Sequence, residues 1–230
     1  MAPYTRWIRT FSCTEGNEQI PAIAREFGLR TMVGAWLDDN LENNEVELAN
    51  AVEVARRGEA DILAIGNEVL LRDDMDEDAL IDYIQRARSQ LPGIEIGYVD
   101  AYFKFVDHPR VTEACDLILA NCYPFWEGCA EPYALMYLQE MVRQVTRVAD
   151  GRRIVISETG WPSEGTAVGD ARPSREAAMR FFLSTWSWAQ EANIDLFYFS
   201  SFDEAWKVEK EGDVGAYWGL LDSNGTPKFF

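Results

Sequence analysis

The chain is short of histidine, cysteine and positive charge, and each shortage removes a class of chemistry. His108 is the only histidine in 230 residues. A Ser–His–Asp relay would have to be built on that one side chain, and a histidine-rich metal centre is excluded. His108 precedes Pro109 and reads as a surface residue at a helix start. Four cysteines occur, and the last three, Cys115, Cys122 and Cys129, are spaced by seven with no histidine among them, which is no zinc pattern. With Cys13 they read as small buried thiols; a Cys122–Cys129 disulfide around a loop is the alternative. Lys and Arg total 21 against 39 Asp and Glu, a net charge of −18. That balance repels nucleic-acid phosphates and anionic lipid surfaces, so a nucleic-acid partner is not expected. A neutral glycan suits it better, although solubility alone is a sufficient reason for the charge. No run approaches the roughly 18 apolar residues of a membrane span. The opening Met1-Ala2-Pro3-Tyr4-Thr5-Arg6 has no apolar signal region, so the chain either stays where it is made or is cut from something longer. No GxGxxG or GxxxxGK motif follows an apolar run, which argues against a nucleotide cofactor.

What is present is a large apolar fraction, 47%, arranged in short runs that alternate with longer stretches of helical period. Expected strands cover Trp7–Cys13, Thr31–Leu37, Ile62–Gly66, Ile94–Val99, Leu117–Tyr123, Ile154–Ser157 and Leu196–Phe202. Between them, Leu48, Ala51, Val52 and Ala55 share a helical face, as do Leu80, Ile84, Ala87 and Leu91, and Ala178, Phe181, Phe182 and Thr185. Glu131-Pro132 reads as a helix start, Ser174 as a cap, and Gly28, Gly58, Gly93 and Gly151 as helix stops. Strict alternation without a composition break predicts one α/β domain over 1–230 with a parallel sheet, either a barrel or a doubly wound sheet.

In a barrel, chemistry collects at the C-terminal strand ends. Those positions hold Trp36-Leu37-Asp38, Gly66-Asn67-Glu68, Asn121-Cys122-Tyr123-Pro124-Phe125-Trp126, Ser157-Glu158-Thr159-Gly160-Trp161 and Asp203-Glu204-Ala205-Trp206-Lys207. Aromatic rings can stack on the C–H faces of pyranoses, and amide, carboxylate and ammonium groups can meet their hydroxyls. Two carboxylates can cleave a glycosidic bond. A carboxylate placed directly after a buried strand costs free energy unless it is paired or used, and an ion pair is the competing account of Glu68 and Glu158.

At these residues the sequence resembles glycoside hydrolase family 17, the β-1,3-glucanase family of clan A. Ile65-Gly66-Asn67-Glu68 is similar to its acid/base motif, and Ile156-Ser157-Glu158-Thr159-Gly160-Trp161-Pro162-Ser163 to its nucleophile motif. Ile8-Arg9-Thr10, Val33-Gly34-Ala35-Trp36, Tyr198 through Lys207 and Trp218-Gly219-Leu220-Leu221-Asp222 extend the likeness to nearly the whole chain, and the bacterial branch looks nearest. The resemblance implies a (β/α)8 TIM-barrel fold and retention through a covalent glycosyl-enzyme. Glu158 would be the nucleophile and Glu68 the acid/base, with their carboxyl groups about 5–5.5 Å apart. It further implies substrate-binding roles for Asn67, Trp36, Tyr123, Trp161, Glu204, Trp206 and Lys207, with no cofactor and no metal. In that likeness Asn67 meets the sugar 2-hydroxyl, Tyr123 steadies the nucleophile, and Glu204 and Lys207 lie near the acid/base.

Two departures qualify the likeness. Family barrels begin with a strand and helix before the Trp7 strand, so seven βα-like units are expected here. An uncovered barrel edge would expose apolar surface, to be covered by a second copy, a rearranged segment or strong curvature. Family members often carry another acidic residue shortly before the closing Trp-Gly-Leu, and Glu211 and Asp213 both lie near that position here. Asn224-Gly225-Thr226 reads as a tight turn rather than a glycosylation site. The expected activity is retaining cleavage of β-1,3-glucan; the alternatives are β-1,3-glucanosyl transfer and an inactive or glucan-binding barrel. The family likeness suggests a periplasmic or envelope location.

Overall fold

A computed structural model describes residues 2–229. Strands and helices alternate: β1 (Trp7–Arg9), α1 (Ile20–Glu26), β2 (Arg30–Ala35), α2 (Leu41–Arg56), β3 (Ile62–Asn67), α3 (Glu77–Gln90) and β4 (Glu95–Ala101). Then come α4 (Tyr102–Asp107), α5 (Pro109–Ala114), β5 (Leu117–Asn121), α6 (Glu131–Val148), β6 (Arg153–Thr159), α7 (Arg175–Ala192), β7 (Asp195–Tyr198) and the short α8 (Val208–Glu211). The seven strands follow one another in the sheet in chain order, β1 to β7. The pairs β1–β2, β2–β3 and β3–β4 are parallel. Parallel neighbours cannot be joined by a hairpin, so a helical crossover lies between them.

The helices form where their apolar spacing and caps dictate. In α2 the predicted stripe Leu48, Ala51, Val52 and Ala55 is buried, and Asn40 caps the first turn by accepting from the Asn43 amide. In α3 Leu80, Ile84 and Ala87 are buried, and Asp76 accepts from Ala79. Ser174 caps α7 by accepting from the Ala177 amide at 3.0 Å. The four predicted helix-stop glycines all take positive φ, which a side chain would oppose.

Four strands end before the apolar runs predict, β2 at Ala35 and β5 at Asn121 by two residues each, β1 and β7 by four. β1 stops at Arg9 because the chain beyond it is bonded elsewhere: the Cys13 amide donates to the Glu47 carboxylate at 2.7 Å. β7 stops at Tyr198; Phe202 forms only an isolated bridge to Leu221.

The chain divides into two compact units, residues 1–120 with 144–155, and residues 121–143 with 156–230. The first is an aliphatic core of strand residues buried on both faces, among them Met32, Val33, Leu63, Ile65, Ile96 and Val99, each fully buried. Each such side chain is worth about 1.5–3 kcal/mol of burial. The core of the second unit is aromatic. Phe125 packs edge-on to Trp161 at 5.3 Å and to Trp218 at 5.5 Å, and Trp161 lies 5.6 Å from Phe181.

All four cysteines are free thiols, so the Cys122–Cys129 bridge is not formed. Cys13, Cys115 and Cys122 are buried, and burial pushes the Cys115 thiol up to about 12. His108 stands at the start of α5 as predicted, 3.6 Å from a Glu77 carboxylate oxygen. Asp222 to Thr226 is a tight turn in which the Asp222 carboxylate accepts from the Asn224 and Thr226 amides. No described helix is long and apolar enough to cross a membrane.

Candidate active site

In the first unit, Asn67 ends β3 and Glu68 follows it at φ +54°, a left-handed conformation that is unusual for a residue with a side chain. Such a residue stores about 1–3 kcal/mol of strain and persists only where its surroundings hold it. The Glu68 amide donates to the Val99 carbonyl at 2.8 Å, and the Glu68 carbonyl accepts from the Arg72 amide at 2.8 Å. Gly66, two residues earlier, has φ +83° and no room for a Cβ, which would lie 2.9 Å from a Val69 methyl. Pairing between β3 and β4 slips by one residue between Ala64 and Asn67. A bulge of this kind re-aims the side chains that follow it. Asn67 is buried, and its amide oxygen accepts from Arg9 at 2.6 Å.

Trp36 follows β2, half-buried, under the guanidinium of Arg72 at 4.5 Å. Arg72 also donates to the Leu37 carbonyl at 2.8 Å and to the Asn67 carbonyl, so one cation ties both strand ends. From below, the wholly buried Glu47 accepts from the Trp36 amide at 3.1 Å, the Cys13 amide, Ser12 and the Thr14 hydroxyl at 2.6 Å. Four donors on one carboxylate offset the cost of burying its charge.

In the second unit Glu158 lies within β6 and is 8% exposed. One carboxylate oxygen accepts from Tyr123 at 2.7 Å and the other from the Asn121 amide at 3.2 Å. Asn121 is oriented in turn, its oxygen accepting from Ser157 at 2.8 Å. Tyr123 is held between rings, 5.5 Å from Trp218 and 6.1 Å from Phe199. Glu204 and Lys207 pair at 2.6 Å, and the Lys207 ammonium sits 3.9 Å over the Phe199 ring. Glu211 completes the cluster. Burial raises its pKa, the charges of Glu158 and Glu204 add to the rise, and Lys207 opposes it. Asp213, by contrast, is exposed and bonded to Thr166, which holds its carboxyl below the usual range. Of the two acidic residues near the closing Trp-Gly-Leu, Glu211 is therefore the one electrostatically coupled to Glu158.

Trp206 is 65% exposed, open to a ring-stacking ligand. Trp161 requires a correction. It is 1% exposed, packed on Phe125 and Phe181, with its indole donating to the Arg172 carbonyl at 3.1 Å. No face is open to a sugar, so it packs the aromatic core. Asn121 stands among the predicted strand-end residues without an assigned role, whereas Arg72 and Glu47 lie outside them. Asn121 carried a signal, since it ends a buried apolar run; Arg72 and Glu47 lie in loop and helix positions that carry none.

A carboxylate after one strand, and a second within another strand held by a phenol and an amide, on a chain of alternating strands and helices, fit the class of carboxylate-based glycosidases. The sequence profile described as the BtgE/BtgC glycoside hydrolase domain matches residues 1–219. The chain belongs to that family, within glycoside hydrolase family 17. It is 29% identical to a glucan 1,3-beta-glucosidase of Arthroderma benhamiae over 244 residues, spanning 96% of the chain and 78% of that protein. It is 28% identical to a glucan 1,3-beta-glucosidase of Schizosaccharomyces pombe, spanning 100% and 77%. Among solved structures, the family 17 beta-1,3-glucanosyltransferase of Rhizomucor miehei superposes with a TM-score of 0.90 at 31% identity, covering 98% of this chain and 85% of that one. The fold is accordingly the (β/α)8 TIM-barrel type, with seven strands among the described residues.

Proposed function

We propose that the chain cleaves β-1,3-glucan with retention, Glu158 attacking the anomeric carbon while Glu68 protonates the departing glycosidic oxygen. Glu68 then takes the proton from the incoming water as it opens the glycosyl-enzyme. The observation that carries this reading is the setting of Glu158. Its two oxygens are held by Tyr123 and Asn121, the arrangement that keeps a carboxylate oriented for attack. Arg9 holds the Asn67 oxygen, so the Asn67 amide nitrogen is presented as a donor to a sugar hydroxyl. The exposed Trp206 supplies a stacking face, and the Lys207–Glu204 pair balances charge among the carboxylates. Trp36, tied by Arg72, flanks Asn67.

A second reading, transfer to a glucan acceptor, is favoured by the likeness to the Rhizomucor glucanosyltransferase. Chemistry up to the glycosyl-enzyme is the same in both. The bacterial branch and an envelope location are part of this proposal and rest on the motifs alone, since the relatives compared above are fungal. So does a single catalytic domain over 1–230.

The test is to incubate the protein and a Glu158→Gln variant with β-1,3-gluco-oligosaccharides and follow product mass and anomeric configuration. Shorter products of β configuration support hydrolysis, and products longer than the substrate support transfer. Wild type as inert as the variant would leave only a glucan-binding or inactive barrel.

A further inference from the structure

We infer that Tyr98 and Asp100 on β4 are positioning residues for the acid/base, holding the backbone turn that carries Glu68. The inference rests on the reading of Glu68 as acid/base.

The turn needs a holder. Glu68 sits at φ +54°, after a one-residue slip in the β3–β4 register and after Gly66 at φ +83°. Tyr98 lies opposite that slip, between Gly97, which pairs with Ala64, and Val99, which pairs with Asn67. Its ring edge fills the room that Gly66 leaves, with ring carbons 3.3 and 3.4 Å from where a Cβ would stand. Its hydroxyl accepts from the Leu70 amide at 2.9 Å, two residues past Glu68. The same hydroxyl donates to an Asp100 carboxylate oxygen, and the other Asp100 oxygen accepts from the Ala101 amide at 2.7 Å. Both side chains are fully buried. Phe105 fixes the Tyr98 ring from the side, edge-on at 6.0 Å.

Packing does not require this pair. An apolar pair of similar volume would fill the same space without the cost of burying a carboxyl group. Outside the pair, the Tyr98 hydroxyl accepts from the Leu70 amide, in the turn that follows Glu68. Burial pushes the Tyr98 hydroxyl far above its ordinary range, so it stays protonated and its donation to Asp100 persists. Asp100 thus orients a hydroxyl whose free lone pair pins Leu70. Together with the Glu68–Val99 bond, this fixes the turn on both sides of the strained residue.

The variant Tyr98→Phe keeps the ring and removes the hydroxyl. It should be compared with Glu68→Gln, and with Leu48→Ala as a packing control elsewhere in the core of the same unit. kcat/KM is measured on a β-1,3-gluco-oligosaccharide, whose leaving group needs a proton, and on a dinitrophenyl β-glucoside of the same linkage, whose leaving group does not. Tyr98→Phe should lose roughly tenfold on the oligosaccharide, part of the 10²–10⁴ that a placed acid contributes, and stay within about twofold on the aryl substrate. Leu48→Ala should show no such selectivity. Equal loss on both substrates by Tyr98→Phe, or no loss, overturns the inference. If Glu68→Gln itself lacks the selectivity, or wild type turns over neither substrate, the acid/base reading fails and the inference with it. Should Tyr98→Phe not fold, Asp100→Asn, which loosens the hydroxyl without removing it, carries the same expectation and the same overturning result.

Discussion

Glu68 and Glu158 are put in place by opposite means. Glu68 leaves a strand through a bulge and a left-handed residue, and main-chain bonds to Val99 and Arg72 hold it. Glu158 sits in regular strand, and its carboxylate is held by side chains, Tyr123 and Asn121. The contrast matches what each would do. A nucleophile must keep one line of attack, which two hydrogen bonds to its oxygens provide. The turn that carries the other carboxyl is fixed by the backbone, through the bulge and the main-chain bonds of Glu68.

The largest break in this comparison should come from the aromatic packing of the unit that holds Glu158. Trp161→Ala empties a site in the aromatic core and should cost about 3–5 kcal/mol in urea unfolding. The exposed Trp206→Ala should change stability by less than about 0.5 kcal/mol and instead raise KM for oligosaccharide. A Trp161→Ala protein of unchanged stability would refute the packing role assigned to it. On the side-chain-held carboxylate, Tyr123→Phe removes one hydrogen bond to a charged group, worth about 1.5–3 kcal/mol, or roughly 10- to 100-fold in kcat/KM. Because the bond is to the nucleophile, the loss should appear on oligosaccharide and aryl glucoside alike.

On the backbone-held carboxylate the matching change is Gly66→Ala. Its methyl would meet Val69 at 2.9 Å in a left-handed conformation, so a loss of about 1–3 kcal/mol in stability is expected. An unaffected urea midpoint would mean the turn is not held as described. The smallest effect concerns Glu211. Its pKa in the folded chain lies above the ordinary 4.5, so the folded chain binds that proton more tightly than the unfolded chain. The stabilisation is complete below about pH 4.5 and is lost as pH rises through the raised value. Glu211→Gln carries no such proton, so its urea midpoint should fall less than that of wild type as pH is raised from about 4.5 to 7. Parallel curves would show that Glu211 is not coupled to the cluster.

Much of the fold was legible in advance because the signals are local. Seven apolar runs became seven strands, Ser174 capped its helix, and the glycine stops fell where helices end. The misread ends of β1 and β7 have a common cause: the apolar run continues, but the backbone finds another partner, as Cys13 does in Glu47. Trp161 was misread for a related reason. A motif places it beside Glu158 in sequence, yet alternation along a strand end does not say whether an indole faces solvent or core. Arg72 and Glu47 were invisible because their meaning is entirely in what they reach, 35 residues away to Leu37 for one and 33 to 35 residues away to Ser12, Cys13 and Thr14 for the other.

The sequence by itself determined the carboxylate chemistry, through one histidine, an excess of acidic residues and two strand-end motifs, and it determined the order of strands and helices. Only the tertiary structure decided how each carboxylate is held, which tryptophan is available and that Glu211 rather than Asp213 joins the cluster. Strand and helix signals are carried by neighbours along the chain, whereas burial, hydrogen-bond partners and charge coupling depend on residues that only folding brings together.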